Sequence, residues 1–181
     1  MSDASVYIET TIPSFYHEVR TVPDMVARRA WTREWWDEHR SRYDVVTSEA
    51  VIDELERGDH PVTEKASALV EDVDRLPIIP EIGEIVEVYA EHQVMPDDPV
   101  GDPLHLAVAP YHKCDFLLTW NCTHLANANK FPHTRRINTR LGLLSPLSSP
   151  LLNCLVRNSR NDRKAAPKRR SRHPSRASGA P

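Results

Sequence analysis

Residues 101–130 read GDPLHLAVAPYHKCDFLLTWNCTHLANANK, and this stretch decides the fold. Asp102 followed by Pro103 predicts a helix start, with Asp102 as the N-cap and Pro103 at the first helical position. Pro110 lacks an N–H group, so we expect it to end or kink this helix early. Residues 114–119, CDFLLT, then read as the most convincing buried strand of the chain. The stretch therefore predicts a helix that leads into a strand of a parallel sheet.

The rest of the chain also alternates between strands and helices. Short apolar runs predict strands at residues 6–8, 44–47 and 76–80, and a last strand at 136–139. Apolar residues at helical spacing predict helices at residues 25–40, 49–56, 63–75 and 82–93, and a short helix at 125–130. We expect the tryptophans of the first of these helices to lie in the core or in an interface. This alternation predicts an α/β domain with a mostly parallel sheet flanked by helices.

The composition excludes several classes of protein. The 181 residues, 40% of them apolar, suit one ordinary domain, and none of the five glycines forms a G-x-G turn. A dinucleotide fingerprint and a Walker phosphate loop are therefore ruled out. No apolar run approaches about 18 residues, so we expect no membrane span, and the N-terminus does not resemble a secretory signal. Three cysteines at irregular spacing predict reduced thiols and a cytoplasmic location.

The charge divides the chain into two parts near position 145. Residues 145–181 carry nine Lys and Arg and one acid, whereas residues 1–144 carry 14 bases and 25 acids. The tail is rich in Arg, Ser and Pro and contains few large apolar residues, so we expect a domain at 1–144 and a disordered basic tail at 145–181. Three interpretations of the tail stay open: an arm that binds RNA, a solvated segment without a role, and an out-of-frame ending.

Polar side chains collect where the predicted strands end. Ligands of an open α/β sheet bind beyond the carboxyl ends of its strands. Three carboxylates, one amide and two hydroxyls from distant parts of the chain are expected at this edge: Glu9, Glu54, Asp102, Asn121, Thr10 and Thr119. Neighbouring carboxylates repel each other and should raise each other's pKa. A hard divalent cation removes that repulsion, so the pattern indicates a Mg²⁺ or Mn²⁺ site that could activate water at a phosphodiester.

The local sequences are more specific than this pattern. Residues 6–16 (VYIETTIPSFY), 45–58 (VVTSEAVIDELERG) and 101–130 closely resemble PIN-domain proteins, and the nearest group resembles bacterial VapC-like toxins of type II toxin–antitoxin systems. The similarity covers roughly residues 6–144. It implies a Rossmann-like sheet, a Mg²⁺- or Mn²⁺-dependent ribonuclease acting on RNA, and a toxin with a cognate antitoxin. A homodimer is a further expectation.

The resemblance also implies a set of site residues. The four acidic positions of the family fall on Glu9, Glu54, Asp102 and Asn121, which would hold the metal and form the catalytic site. Thr10 and Thr119 would position a water molecule or a metal-bound carboxylate. Glu9 stands where many relatives have Asp, and Asn121 removes a charge and should weaken a second metal. The alternative interpretation is a catalytically weak PIN fold that binds RNA or a protein.

Two further groups of residues could bind ligands: a set of histidines and cysteines, and a set of arginines. Histidines and cysteines between His105 and His124 match no compact zinc motif, and Cys114 is better interpreted as a small buried residue. Phosphate affinity normally comes from Lys and Arg, which an acidic body lacks. Five arginines could form a phosphate-binding patch or could lie on a solvated helix face paired with Glu34 and Glu38: Arg28, Arg29, Arg33, Arg40 and Arg42. The acidic surface could instead serve a basic antitoxin segment.

Overall fold

The computed structural model describes residues 4–58, 62–95 and 101–150. Five strands are present in this part of the chain: β1 (Ala4–Ile8), β2 (Tyr43–Ser48), β3 (Asp74–Leu76), β4 (Phe116–Thr119) and β5 (Leu147–Pro150). The helices are α1 (Thr11–Tyr16), α2 (Pro23–Glu34), α3 (Glu49–Arg57), α4 (Thr63–Leu69), α5 (Pro80–Glu91), α6 (Asp102–Tyr111) and α7 (Phe131–Arg140).

The strands form one parallel sheet in the order β3-β2-β1-β4-β5. The chain adds β2 and β3 on one side of β1, and later adds β4 and β5 on the other side. Strand order therefore reverses between β1 and β4. In such sheets a crevice opens beyond the carboxyl ends of the strands at this reversal point. The predicted α/β fold, with a mostly parallel sheet flanked by helices, is confirmed.

The centre of the sheet is buried because helices cover it. Val6, Tyr7 and Ile8 of β1 are at most 2% exposed, and Leu117 and Leu118 of β4 are fully buried. A central parallel strand faces packed side chains on both sides, so it reads as a continuous apolar run rather than an alternating one. This rigid centre fixes where the residues that follow β1 and β4 lie.

Several predicted elements differ from the observed ones. Residues 136–139, expected as a strand, lie in helix α7, whose buried Thr134, Ile137 and Asn138 recur at helical spacing. Residues 125–130 form turns instead of a helix. The predicted helix at 25–40 is α2 followed by a π-helical turn over Trp35–His39. Trp35 and Trp36 are buried there, as expected.

Pro110 does not stop helix α6, which continues to Tyr111. A proline at this position leaves the carbonyl of Leu106 without its usual donor, the N–H four residues later. The Tyr89 hydroxyl lies 3.5 Å from that carbonyl, but its proton is donated to Asn138 Oδ1 at 2.5 Å. Pro110 lies in the last turn, where its cost is low, and the expected early end of the helix is wrong.

The sheet continues beyond Leu144, where the domain was expected to end. Strand β5 pairs with β4 from Leu147 opposite Phe116 to Pro150 opposite Thr119. Without this partner, one side of β4 would be left with unpaired backbone groups. The expected boundary is therefore corrected to include β5. The basic residues of the tail lie within 151–181, outside the described residues, and the disorder expected for them stays a prediction. Within the described ranges, no helix is long and apolar enough to cross a membrane.

Candidate functional site

The ends of β1 and β4 are joined by one threonine hydroxyl. Thr11 Oγ1 donates to the carboxylate of Glu9, and the Thr11 N–H donates to the same carboxylate at 2.9 Å. The Trp120 N–H, just beyond β4, donates to Thr11 Oγ1 at 2.8 Å. Glu9 is therefore held where strand order reverses, with its side chain tied to both central strands. Sequence analysis did not assign a role to Thr11.

The Glu9 carboxyl is buried, with a relative exposure of 3%. Burial raises its pKa above the ordinary value, because removal from water disfavours the charged form. His105 and hydrogen bonds from Thr11 and Thr119 act in the opposite direction but do not offset burial. The expected cause, repulsion between carboxylates, is therefore not the main one.

Glu54 lies on α3, the helix that follows β2, and two groups hold its carboxylate. Thr10 Oγ1 donates to Oε2, and His105 Nε2 lies 3.1 Å from Oε1. The second contact places the buried ring edge of His105 against the carboxylate. Burial opposes ionisation of Glu54, but His105 and Thr10 outweigh it, and the pKa lies below its ordinary value. The expectation that repulsion raises this pKa is wrong.

A buried chain of polar groups supports Glu54 from beneath. The Tyr7 hydroxyl lies 2.7 Å from Ser48 Oγ and 2.8 Å from His105 Nδ1, and the other ring nitrogen of His105 faces Glu54. Tyr7, Ser48 and His105 are at most 1% exposed. Burial is the main reason that the pKa of Tyr7 is strongly raised, so its hydroxyl stays protonated. The chain connects β1, β2, α6 and α3.

Sequence analysis missed this chain of contacts. Ser48 is the N-cap residue of α3, but its hydroxyl makes no capping bond and contacts Tyr7 instead. His105 was named only among residues that match no compact zinc motif. The available signal was spacing, because His105 follows Asp102 by three residues and so shares a face of α6 with it.

Asp102 and Asn121 form a direct pair. Asn121 Nδ2 lies 2.8 Å from both carboxylate oxygens of Asp102, and Asn121 Oδ1 accepts from the His124 N–H at 3.1 Å. The amide therefore turns its nitrogen, not its oxygen, toward the site. A role for Asn121 as an oxygen ligand of a metal stays a prediction. Its oxygen organises the turn that follows β4.

Gly101 brings the start of α6 close to Glu54. Gly101 is the N-cap of α6, so Asp102 takes the first helical position instead of the expected cap position. Its φ of 111° lies in a region that residues with a Cβ rarely adopt, and a Cβ there would lie 3.4 Å from Glu54 Oε1. The backbone conformation therefore favours a glycine before Asp102, and the Glu54 carboxylate lies in contact distance of this position.

The two predicted water-positioning threonines bind protein atoms. Thr10 donates to Glu54, and Thr119 Oγ1 accepts from the Asn121 N–H at 2.7 Å and also contributes to holding Glu9. Both hydroxyls therefore position acidic or backbone groups, and their role toward a water molecule stays a prediction. All six predicted residues lie around the carboxyl edge of the sheet, connected by the contacts of Thr10, Thr11, Gly101 and His105.

The donor chemistry of this edge fits a hard cation. Among the described residues, no group of three His, Cys, Asp or Glu side chains lies close enough to form a ready-made cluster. Mg²⁺ usually keeps several waters and needs only one or two carboxylates. Glu54 and Asp102 meet this requirement, because both are partly exposed and Glu54 lies close to the start of α6 at Gly101. Glu9, which is buried, would contribute from within the protein.

A cleft of about 270 Å³ opens beside Glu54, between α1, α3 and α4. Its walls combine apolar groups with hydroxyls, including Phe15, Leu55, Thr10 and Ser14, and Arg20 lies at the same cleft. Glu18 is the ion-pair partner of Arg20. Glu54 therefore faces a concave, partly apolar space, which is the usual setting of a small-molecule or nucleotide site.

The arginines of α2 hold the fold together. Arg28 contacts the Trp120 carbonyl at 3.4 Å, Arg29 donates to the Glu18 carbonyl at 2.8 Å, and Arg33 donates to the Tyr16 carbonyl at 2.9 Å. These contacts join α2 to α1 and to the end of β4. No ion pair with Glu34 or Glu38 is present for these three arginines among the described residues, and a phosphate-binding role for them stays a prediction.

Arg40 and Arg42, which follow α2, also have contacts within the protein. Arg40 lies over the ring of Trp36, 4.4 Å from its centroid, and Arg42 likewise has an interaction partner.

Sequence comparisons add no identification to this geometry. A scan against protein-family models matches no family, and a search of the curated proteins finds no similar sequence.

Removal of the Tyr7 hydroxyl tests the buried chain. Tyr7→Phe leaves the buried polar atoms of Ser48 and His105 without a partner, so we expect it to lower the free energy of unfolding by about 1–3 kcal/mol. Tyr16→Phe is the matched control, because its hydroxyl bonds Asp37 at an exposed position. The measurement is equilibrium urea denaturation of both variants. Equal effects of the two substitutions would contradict a structural role for the buried chain.

The two glutamates should show opposite pH dependence of stability in metal-free buffer. The raised pKa of Glu9 gives stability that is present below its unfolded pKa and lost as pH rises through its folded pKa. Wild type should therefore lose stability relative to Glu9→Gln as pH rises above the ordinary pKa of a glutamate, by about 1.4 kcal/mol per unit of pKa difference.

Glu54→Gln is the control, because its stability relative to wild type should depend on pH in the opposite direction. The lowered pKa of Glu54 gives stability that is present above its unfolded pKa and lost as pH falls through its folded pKa. The stability that wild type has in excess of Glu54→Gln should therefore disappear in acid. Urea denaturation at a series of pH values in EDTA measures both differences. If the free energy of unfolding changed with pH in the same way for wild type and both Gln variants, the environments described for Glu9 and Glu54 would be wrong.

Proposed function

We propose that this chain is a Mg²⁺- or Mn²⁺-dependent ribonuclease of the PIN-domain type and the toxin of a toxin–antitoxin pair. The observation that carries the proposal is the meeting of Glu54 with the start of α6 at Gly101, beside Asp102, at the reversal point of a parallel sheet. Partly exposed carboxylates at such a crevice suit a hard cation and a phosphodiester.

Each residue of the site has a separate task in this proposal. Glu54 and Asp102 would hold the ion, which would activate water and neutralise charge on the phosphodiester. Thr10 fixes one oxygen of Glu54, and His105 lies against the other, so this carboxylate keeps its orientation and its charge. Asn121 fixes Asp102 without adding a charge, which limits repulsion among the acids of the site.

The cleft beside Glu54 is the proposed nucleotide site. Its apolar wall at Leu55 and Phe15 suits a base or ribose, and its hydroxyls at Thr10 and Ser14 suit the polar edge of a nucleotide. A strand held there would place a phosphodiester beside Glu54. The proposal therefore assigns binding and cleavage to adjoining parts of one crevice.

The toxin role requires a partner that blocks the site. Residues 1–115 carry 10 Lys and Arg and 25 acids. A surface of this charge is complementary to a basic segment, which is the chemistry proposed for the antitoxin. Self-association as a homodimer is also part of the proposal.

The second candidate function is a binding module without strong catalysis. A specific observation favours it: the chain's own donors already engage the carboxylates of Glu9, Glu54 and Asp102. A carboxylate that is satisfied in this way has less to gain from a cation. The two candidates differ in one measurable property, which is metal-dependent cleavage.

Cleavage of a labelled RNA pool by the full chain separates the candidates. We expect cleavage with Mg²⁺ or Mn²⁺ and none in EDTA, and a loss on the order of a hundredfold or more in Asp102→Asn. Glu84→Gln, which alters an exposed acid on α5, should keep full activity and serves as the control. RNA binding without cleavage in any metal would favour the binding module, and equal activity of Asp102→Asn would remove Asp102 from the mechanism.

A further inference from the structure

Helix α7 interrupts the acidic character of the domain. The last acid before the tail is Asp115, and residues 116–144 contain four bases and no Asp or Glu. Three of these bases, Arg135, Arg136 and Arg140, lie on α7, and Lys130 is its N-cap residue. Residues 1–115 have an excess of 15 acids and would repel a polyanion, whereas helix α7 would attract one.

The arginines of α7 share the outer face of the helix. Thr134, Ile137 and Asn138 are buried, whereas Arg135, Arg136 and Arg140 are exposed. Side chains four residues apart, such as Arg136 and Arg140, are neighbours on a helix surface, and Arg135 is exposed on the same outer half of the helix. The exposed side of α7 therefore carries three guanidinium groups. We refer to Lys130, Arg135, Arg136 and Arg140 together as the α7 basic face.

The side chains of the α7 basic face have no ion-pair partner among the described acids. The arginines of α2 differ, because their guanidinium groups bind backbone carbonyls of neighbouring elements. A guanidinium that folding does not use keeps its planar set of donors for a phosphate, which it can bind through two parallel hydrogen bonds. The α7 basic face is thus the better phosphate-binding surface of the two.

Helix α7 is attached to the elements that carry the candidate site. Tyr89 joins α7 to α6, since its hydroxyl donates to Asn138 at 2.5 Å and approaches the Leu106 carbonyl at 3.5 Å. Helix α6 begins with Asp102, one turn before Leu106. The segment from Asn121 leads from β4 directly into α7. A strand bound on the basic face would therefore lie on the elements that position Asp102 and Asn121.

We propose that the α7 basic face binds the phosphate backbone of the RNA strand and guides it to the crevice. This inference rests on the proposed function for the identity of the polyanion. Contacts of this kind carry no sequence information, so the surface would supply affinity and orientation, and the crevice would supply any selectivity. The same contacts must weaken as salt rises, because phosphate neutralisation releases counterions.

The test is fluorescence anisotropy with the full chain and a labelled, unstructured oligo(U) RNA, in EDTA so that no cleavage occurs. Arg135→Gln/Arg136→Gln/Arg140→Gln should lower the affinity on the order of tenfold or more. It should also reduce the slope of log affinity against log salt by about 2. The matched control is Lys65→Gln/Arg75→Gln/Lys113→Gln, which removes the same charge at exposed positions elsewhere. Its affinity should stay within about twofold of wild type, since it removes no phosphate contact.

Three outcomes would overturn the inference. The first is equal weakening of both triple variants, which would mean that only net charge matters. The second is unchanged binding by the α7 variant. The third is competition by a poly-glutamate peptide as strong as that by unlabelled RNA, which would identify an acidic protein segment as the ligand. Binding is measured without metal, so these outcomes do not depend on whether the chain cleaves RNA. If the chain bound RNA through α7 but did not cleave it, the inference would hold and the chain would be a binding module.

Discussion

The pairing of β1 with β4 is the constraint on which the rest of the structure depends. It joins a strand formed early in the chain to one formed 110 residues later, with Val6 opposite Phe116 and Ile8 opposite Leu118. Both strands point the same way, so Glu9 and Thr119 end at one edge. Thr11 then connects the two ends through a single hydroxyl. Every other residue of the candidate site is placed relative to this pair of strands.

Contacts between buried polar groups are the second feature that fixes the site. Tyr7, His105 and Ser48 lie within the protein, where an unpartnered donor or acceptor is costly, so each is matched by another. The visible consequence is at Glu54, whose carboxylate is fixed while remaining partly exposed. Asn121 has the corresponding effect on Asp102. The site thus combines rigid carboxylates with limited negative charge, and α7 adds positive charge on an adjoining helix.

The fold and the positions of the site residues could be predicted from sequence, but their contacts could not. Apolar runs such as residues 6–8 and the Asp102-Pro103 pair reveal elements locally, and parallel strands bring their ends together. The role of His105 depends on Tyr7 and Glu54, which come from two other elements, so no local pattern shows it. The orientation of Asn121 depends on the turn at His124. Helix α7 was missed because its β-branched residues resemble a strand when its buried face is unknown.

The central claim is that Glu54 and Asp102 form a site for a divalent cation at the reversal point of the sheet. Anomalous diffraction from crystals of the chain grown with Mn²⁺ tests it most directly. The account predicts a single strong peak about 2 Å from a carboxylate oxygen of Asp102 and within reach of Glu54, directly or through a coordinated water. A well-ordered crevice without a peak, or a peak held only by other residues, would contradict the account.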